Sequence, residues 1–359
     1  MTDAQFFSAP VVLGADSTIG EWLEHPAGAA ALGEVIDALG GSAEALAPVR
    51  ALPLADLTVI TRGQVGEALI EELVRAARAG TVPAGVAERV AAPAVLPFSG
   101  QIREEGIVRV YVPAAPNGTG LVWAHGGGFV HGTLDMPEAD DVARALGEKG
   151  VTVMSVDYRL VGDGCRYPLP SDDLLTAWRW ALANADDLGL DLARLWLGGA
   201  SAGGNLAAGA ALRLGESGEA LPAKIVLAYP TLLAEQPAPP AELRAALDAH
   251  PAADVFGPAA VRSMYEQYLG APVSHAPLPA VPGLATVEDL ATFPETIIVT
   301  ADIDELRVSA ELFADTLRRA GRTVHCWSEP GSFHGFLNQP DDPAFGAAID
   351  RILIEGGHR

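Results

Sequence analysis

The rhythm of apolar and polar positions changes near residue 92. Before that point the chain lacks β-alternation. Thr18 to Leu23, Ala27 to Leu39 and Val65 to Ala79 have helix-forming composition, and Gly or Pro punctuates the gaps. Leu69, Ile70, Leu73 and Val74 recur at helical spacing, so residues 1–90 read as a helical accessory or cap region. Beyond it, short apolar runs alternate with helix-like stretches. The strand expectations are Gln101 to Pro113, Leu121 to Ala124, Val151 to Val156, Arg194 to Gly198, Ile225 to Tyr229, Thr296 to Thr300 and Thr323 to Trp327. Between them fall helices near Ser171 to Ala185, after Ser201, and near Leu306 to Ala320, with a last one near Phe345 to Ile354. Strands separated by helices of this length predict an α/β fold with a mostly parallel sheet covered on both faces. That domain takes in residues 91–230 and 295–359.

Residues 231–294 break the alternation. The segment opens on the proline-rich Gln236 to Pro240 and carries helical patches over Ala241 to Ala249 and Pro258 to Leu269. A connection this long between neighbouring strands exceeds a simple crossover and reads as a lid over the ligand crevice.

Composition narrows the function. The net charge is −23, and Lys149 and Lys224 are the only lysines, which argues against nucleic acid or an anionic membrane as partner. No apolar run approaches the ~20 residues that span a bilayer. The start, Met1 to Gln5, has no basic region, so no secretory signal is expected. Two cysteines, Cys165 and Cys326, are too few for a disulfide framework and fit thiols in a reducing cytoplasm.

The chemistry concentrates in two strings. Gly199-Ala200-Ser201-Ala202-Gly203 follows an apolar run and precedes a stretch of small and apolar residues, the context of a strand, a sharp turn and a helix that lifts a serine hydroxyl clear of a sheet. His125-Gly126-Gly127-Gly128 supplies backbone N–H groups that can approach an oxyanion closely. A serine nucleophile needs a base, and the base an orienting acid. Of the histidines downstream, His325 lies mid-strand and committed to packing, His250 and His275 fall in the lid segment, and His358 lies at the frayed terminus. His334 follows the last strand and can reach across the sheet edge. For the acid, Asp302, Asp304 and Glu305 all lie where Ile297 to Thr300 ends, and spacing alone only mildly favours Asp304.

These residues carry a family resemblance. Over roughly Leu121 to Phe336 the chain resembles the hormone-sensitive-lipase group of α/β-hydrolase carboxylesterases. His125 to Phe129 is similar to the group's oxyanion motif, Asp157-Tyr158-Arg159-Leu160 to its D-Y-R-L strand end, Gly199 to Asn205 to its nucleophile elbow, Asp304 to Arg307 to its D-P-L-R acid loop, and His334-Gly335-Phe336 to its H-G-F base motif. The resemblance implies an α/β-hydrolase fold with a helical cap, a Ser201–His334–Asp304 triad, an oxyanion hole from the N–H groups of Gly127, Gly128 and Ala202, and an acyl-enzyme. It implies no metal or cofactor, and no ligand cluster shows metal spacing. His125 is left a structural role in shaping the glycine loop.

Phe129, Tyr158, Tyr265 and Phe336 are the pocket candidates, in a site for small, largely uncharged short-acyl esters. A sugar or natural-product deacetylase, a lactonase or an amidase would use the same triad. A non-catalytic binding protein on this fold would have lost a triad member. Homodimerisation is expected from the resemblance alone. Ala200, Val161 to Cys165 and Glu305 depart from the group's pattern, and the N-terminal region is some forty residues longer than is common in it.

Overall fold

The computed structural model describes residues 13–358, apart from 40–45, 47–48, 51, 62–63, 91–94 and 163. The chain divides into two compact units, Met1–Ala94 and Val95–Arg359.

The first unit holds α1 (Ile19–Glu24), α2 (Pro26–Ala38), α3 (Leu57–Ile60) and α4 (Glu67–Ala79). Thr18 starts α1 in a capping box: its Oγ1 accepts from Glu21 N at 3.1 Å, while Glu21 returns a carboxylate oxygen to Thr18 N at 2.7 Å. Gly80 ends α4 at φ 66°, a left-handed cap that suits glycine. Trp22, Leu32, Leu54 and Leu73 form the buried centre, and the indole of Trp22 donates to Gly14 O.

In the second unit the elements run β1 (Gln101–Glu105), β2 (Val108–Val112), β3 (Gly120–Ala124), α5 (Asp140–Glu148), β4 (Thr152–Val156), α6 (Leu169–Ala183), β5 (Leu195–Ala200), α7 (Ala202–Ser217), β6 (Lys224–Ala228), α8 (Ala241–Ala249), α9 (Pro258–Leu269), β7 (Glu295–Ile303), α10 (Arg307–Arg319), β8 (Val324–Phe333) and α11 (Pro343–Glu355). They build one eight-stranded sheet of order β1-β2-β4-β3-β5-β6-β7-β8. β1 and β2 are antiparallel to their neighbours, and the rest of the sheet is parallel.

Strand periodicity creates two cores. Val122 and Ala124 of β3, Ile225 and Leu227 of β6, and Ile298 of β7 point to one face, covered by Leu174 and Trp178 of α6, Leu206 of α7 and Phe313 of α10. The alternate residues Leu121, Trp123, Val226 and Ile297 point to the other, covered by Val142 and Leu146 of α5 and by Phe345 and Ile349 of α11.

The structure corrects two strand expectations and adds a helix. Gln101 to Pro113 is a hairpin, not one strand: Gly106 at φ 65° turns the chain, and Glu105 pairs with Val108. β1 reads Gln-Ile-Arg-Glu-Glu and is exposed throughout, the charged edge strand that discourages further pairing. The last strand does not stop at Trp327. It continues to Phe333 because β7 also lengthens, and Ile303 pairs with Phe333 beyond a register shift at Ala301–Ile303. α5 was not expected; two acidic residues, Asp140 and Asp141, sit on its buried side and break the apolar stripe.

Candidate active site

Ser201 sits between β5 and α7 at φ 51° and ψ −114°, a strained conformation held by its surroundings. Its N–H donates to Ala228 O at 2.9 Å. The turn is this tight because Gly203 has no side chain: a Cβ there would collide with the carbonyl oxygens of Ala124 and His125. The close approach of α7 to the end of β3 brings the glycine loop beside the serine.

His334, directly after β8, places Nε2 2.9 Å from Ser201 Oγ and Nδ1 2.7 Å from Asp304 Oδ2. Asp304 is completely buried, and its other oxygen accepts from Leu306 N at 2.9 Å, which fixes the carboxylate. The two other acids turn elsewhere. Asp302 pairs with Arg307 at 3.0 Å and accepts from Gly331 N at 3.0 Å, whereas Glu305 lies 3.5 Å from Arg244. Burial pushes the Glu305 carboxyl above its usual range, aided by the neighbouring Asp254 charge. Of the histidines set aside, His325 is not simply packed: it pairs with Glu355 at 2.7 Å.

The glycine loop turns through positive φ at Gly127 (109°), Gly128 (60°) and Phe129 (69°). Ala202 opens α7, so its N–H is among the helix's unsatisfied first donors. His125 is buried beneath the loop, with Nδ1 2.7 Å from Gly126 O and its ring stacked on Tyr158 at 4.5 Å. Nδ1–H donates to that carbonyl, and burial lowers the ring's pKa.

The expected pocket aromatics are packed rather than open to solvent. Phe129, Tyr158, Tyr265 and Phe336 are all buried. Phe129 stacks on Tyr268 of α9 at 4.0 Å and meets Tyr265 edge-on. Tyr265 donates to Thr231 O and accepts from Asn205 of α7, which ties the 231–294 segment to the sheet domain. Two side chains that the sequence did not single out also lie at the site. Phe256 lies against the His334 ring at 4.4 Å, and Met264 Sδ stands 3.5 Å from where a Cβ on Gly128 would be. Their signal was weak, since each is one apolar residue in a segment rich in them.

Among the described residues no cluster of His, Cys, Asp or Glu could hold a metal ion. Nor is any helix among them long and apolar enough to cross a membrane.

Comparison with known proteins places the fold and its relatives. A family model described as alpha/beta hydrolase fold matches residues 121–338. Esterase LipI of Mycobacterium tuberculosis is 33% identical over 258 residues, 67% of this chain and 78% of its own. An ethyl acetate hydrolase of Pseudomonas putida is 31% identical over 236 residues, 64% of this chain and 71% of its own. Among solved structures, the hyperthermophilic esterase from Pyrobaculum calidifontis has a TM-score of 0.63 and 30% identity, covering 72% of this chain and 86% of that one. A mostly parallel sheet carrying these motifs, together with esterase relatives matched over about two thirds of the chain, means that the chain belongs to the hormone-sensitive-lipase-like family of α/β-hydrolases and is an enzyme of carboxylic-ester hydrolysis.

Proposed function

We propose that the protein is a serine carboxylesterase that cleaves small, short-acyl esters through a Ser201–His334–Asp304 triad. The observation that carries this reading is the unbroken relay from Ser201 Oγ to His334 Nε2 at 2.9 Å and from His334 Nδ1 to Asp304 at 2.7 Å.

Ser201 Oγ attacks the ester carbonyl carbon as its proton passes to His334 Nε2, and Asp304 stabilises the imidazolium. The carbonyl oxygen becomes an oxyanion facing the N–H groups of Gly127, Gly128 and Ala202; one such donor is worth about 10²–10³ in rate. Collapse breaks the ester C–O bond. His334 returns its proton to the departing alcohol, and water repeats the sequence on the acyl-enzyme.

Residues 231–294 act as the lid, and Phe256 and Met264 bring its apolar surface over the histidine and the glycine loop. The short-acyl reading is supported by the similarity to an ethyl acetate hydrolase. Two cysteines left as thiols fit a cytoplasmic enzyme.

Ser201→Ala is expected to cut kcat on p-nitrophenyl acetate by about 10⁶-fold, the scale seen when a serine nucleophile is removed, with an unchanged circular-dichroism spectrum. Turnover close to wild type would sink the mechanism. A panel of acyl lengths, with acetylated sugars included, reads the substrate class.

A further inference from the structure

Glu138 is 2% exposed, lies between the glycine loop and α5, and has no role in the chemistry described above. Its carboxylate gathers three donors from three distant parts of the chain. Oε1 accepts from the backbone N–H of Gly126, a group that can only donate. Oε2 accepts from the Tyr229 hydroxyl and, at 3.2 Å, from the Asn338 amide. The backbone of Glu138 is held too: its N–H donates to Asn338 Oδ1 at 3.3 Å, and its carbonyl accepts from the Trp123 indole at 2.8 Å. Burial pushes this carboxyl above its ordinary range, while the three donors and the nearby His334 favour the charged form.

Each donor leads directly to the reacting groups. Gly126 is wedged against the nucleophile turn: a Cβ on it would stand 3.0 Å from Ser201 Cβ and 3.3 Å from Ala200 O. The next two residues are the oxyanion donors Gly127 and Gly128. Tyr229, strained at φ 33°, sets its ring edge-on to His334 at 4.9 Å. Asn338 closes the short helical turn that follows the histidine.

We propose that Glu138 is a positioning residue that fastens the oxyanion loop to the loop bearing His334, so that the donors and the base keep one mutual geometry. This rests on the triad reading above. The energetic logic is that a misplacement near 1 Å in such a site costs about 10²-fold in rate. A contact that acts only on the transition state lowers kcat without raising KM.

The test is Glu138→Gln, which keeps the shape but must turn its NH₂ toward at least one former donor. With kcat counted per site titrated by a fluorophosphonate, a fall of about 10- to 100-fold is expected, with KM within about threefold. A trifluoromethyl ketone, which mimics the tetrahedral adduct, should lose affinity in step with kcat/KM. Wild-type kcat per titrated site overturns the proposal, as does a loss confined to KM or to the fraction of sites that titrate. Should that variant fail to fold, Tyr229→Phe removes only the hydroxyl and is read in the same way, with a severalfold fall in kcat expected and wild-type kcat as the refutation. Ser201→Ala separates the two readings: if it retains turnover the triad fails, whereas an inactive Ser201→Ala beside a wild-type-like Glu138→Gln removes only the role of Glu138.

Discussion

Replacing Asp304 by Asn separates the three acids at the end of β7 most sharply. The change is isosteric, and the carboxylate oxygen that caps Leu306 N at 2.9 Å can be kept as the amide oxygen. That choice leaves the NH₂ facing His334 Nδ1 across the present 2.7 Å contact. Two donors cannot share the contact, so the ring must present Nδ1 as an acceptor and carry its proton on Nε2. Nε2 then points an N–H at Ser201 Oγ, 2.9 Å away, and cannot take the hydroxyl proton. A wrong tautomer of this kind costs about 10⁴ in kcat, or about 5.4 kcal/mol at 1.36 kcal/mol per decade. The same substitution at Asp302 removes the charge from a half-exposed pair with Arg307 and keeps one acceptor oxygen for either Arg307 or Gly331 N. Exposed pairs are worth about 1 kcal/mol at most, so kcat should fall less than tenfold. The assay is kcat/KM on p-nitrophenyl acetate for both variants, with thermal unfolding run alongside. A larger loss for Asp302→Asn, or an Asp304→Asn enzyme within tenfold of wild type, would refute the argument.

Met264→Ala should open the roof above Gly128, so the ratio of hexanoate to acetate hydrolysis is expected to rise several-fold; an unchanged ratio would mean that the acyl chain lies elsewhere. Burial pushes the Cys326 thiol up to about 11, so at pH 8 it holds less thiolate than a free thiol. Its alkylation by iodoacetamide, followed by peptide mass spectrometry, should be slow at pH 8 and still climbing at pH 10. The linkage runs the same way. The folded state holds this proton more tightly, so the contribution to stability is complete below the unfolded thiol value of about 8.5 and is lost as pH rises through about 11.

Much of the fold was legible because its signals are local. The five parallel-sheet segments from β3 to β7 are short apolar runs, and both of their faces are buried, as such runs require. The hairpin was missed because a single glycine, Gly106, divides a stretch whose alternation is otherwise continuous. Helix α5 was missed because Asp140 is buried on a bond from the Tyr111 hydroxyl at 2.6 Å, and no periodicity rule anticipates a satisfied acid in the core.

The sequence by itself determined the reactive residue types. Ser201 and the glycines around it declare a tight turn through backbone sterics alone, which act between neighbours in the chain. Tertiary structure decided which partners meet. Spacing in the sequence only mildly favours Asp304 over Asp302 and Glu305, and the folded chain sets Asp304 against His334 while its neighbours find arginines. Tertiary packing stacked α9 on Phe129 and brought Phe256 against His334 and Met264 over Gly128, contacts between residues far apart in the chain. Glu138 was invisible in the sequence because the groups that give it meaning lie 12, 91 and 200 residues away. A carboxylate's role depends on the donors brought around it, and only the folded chain assembles them.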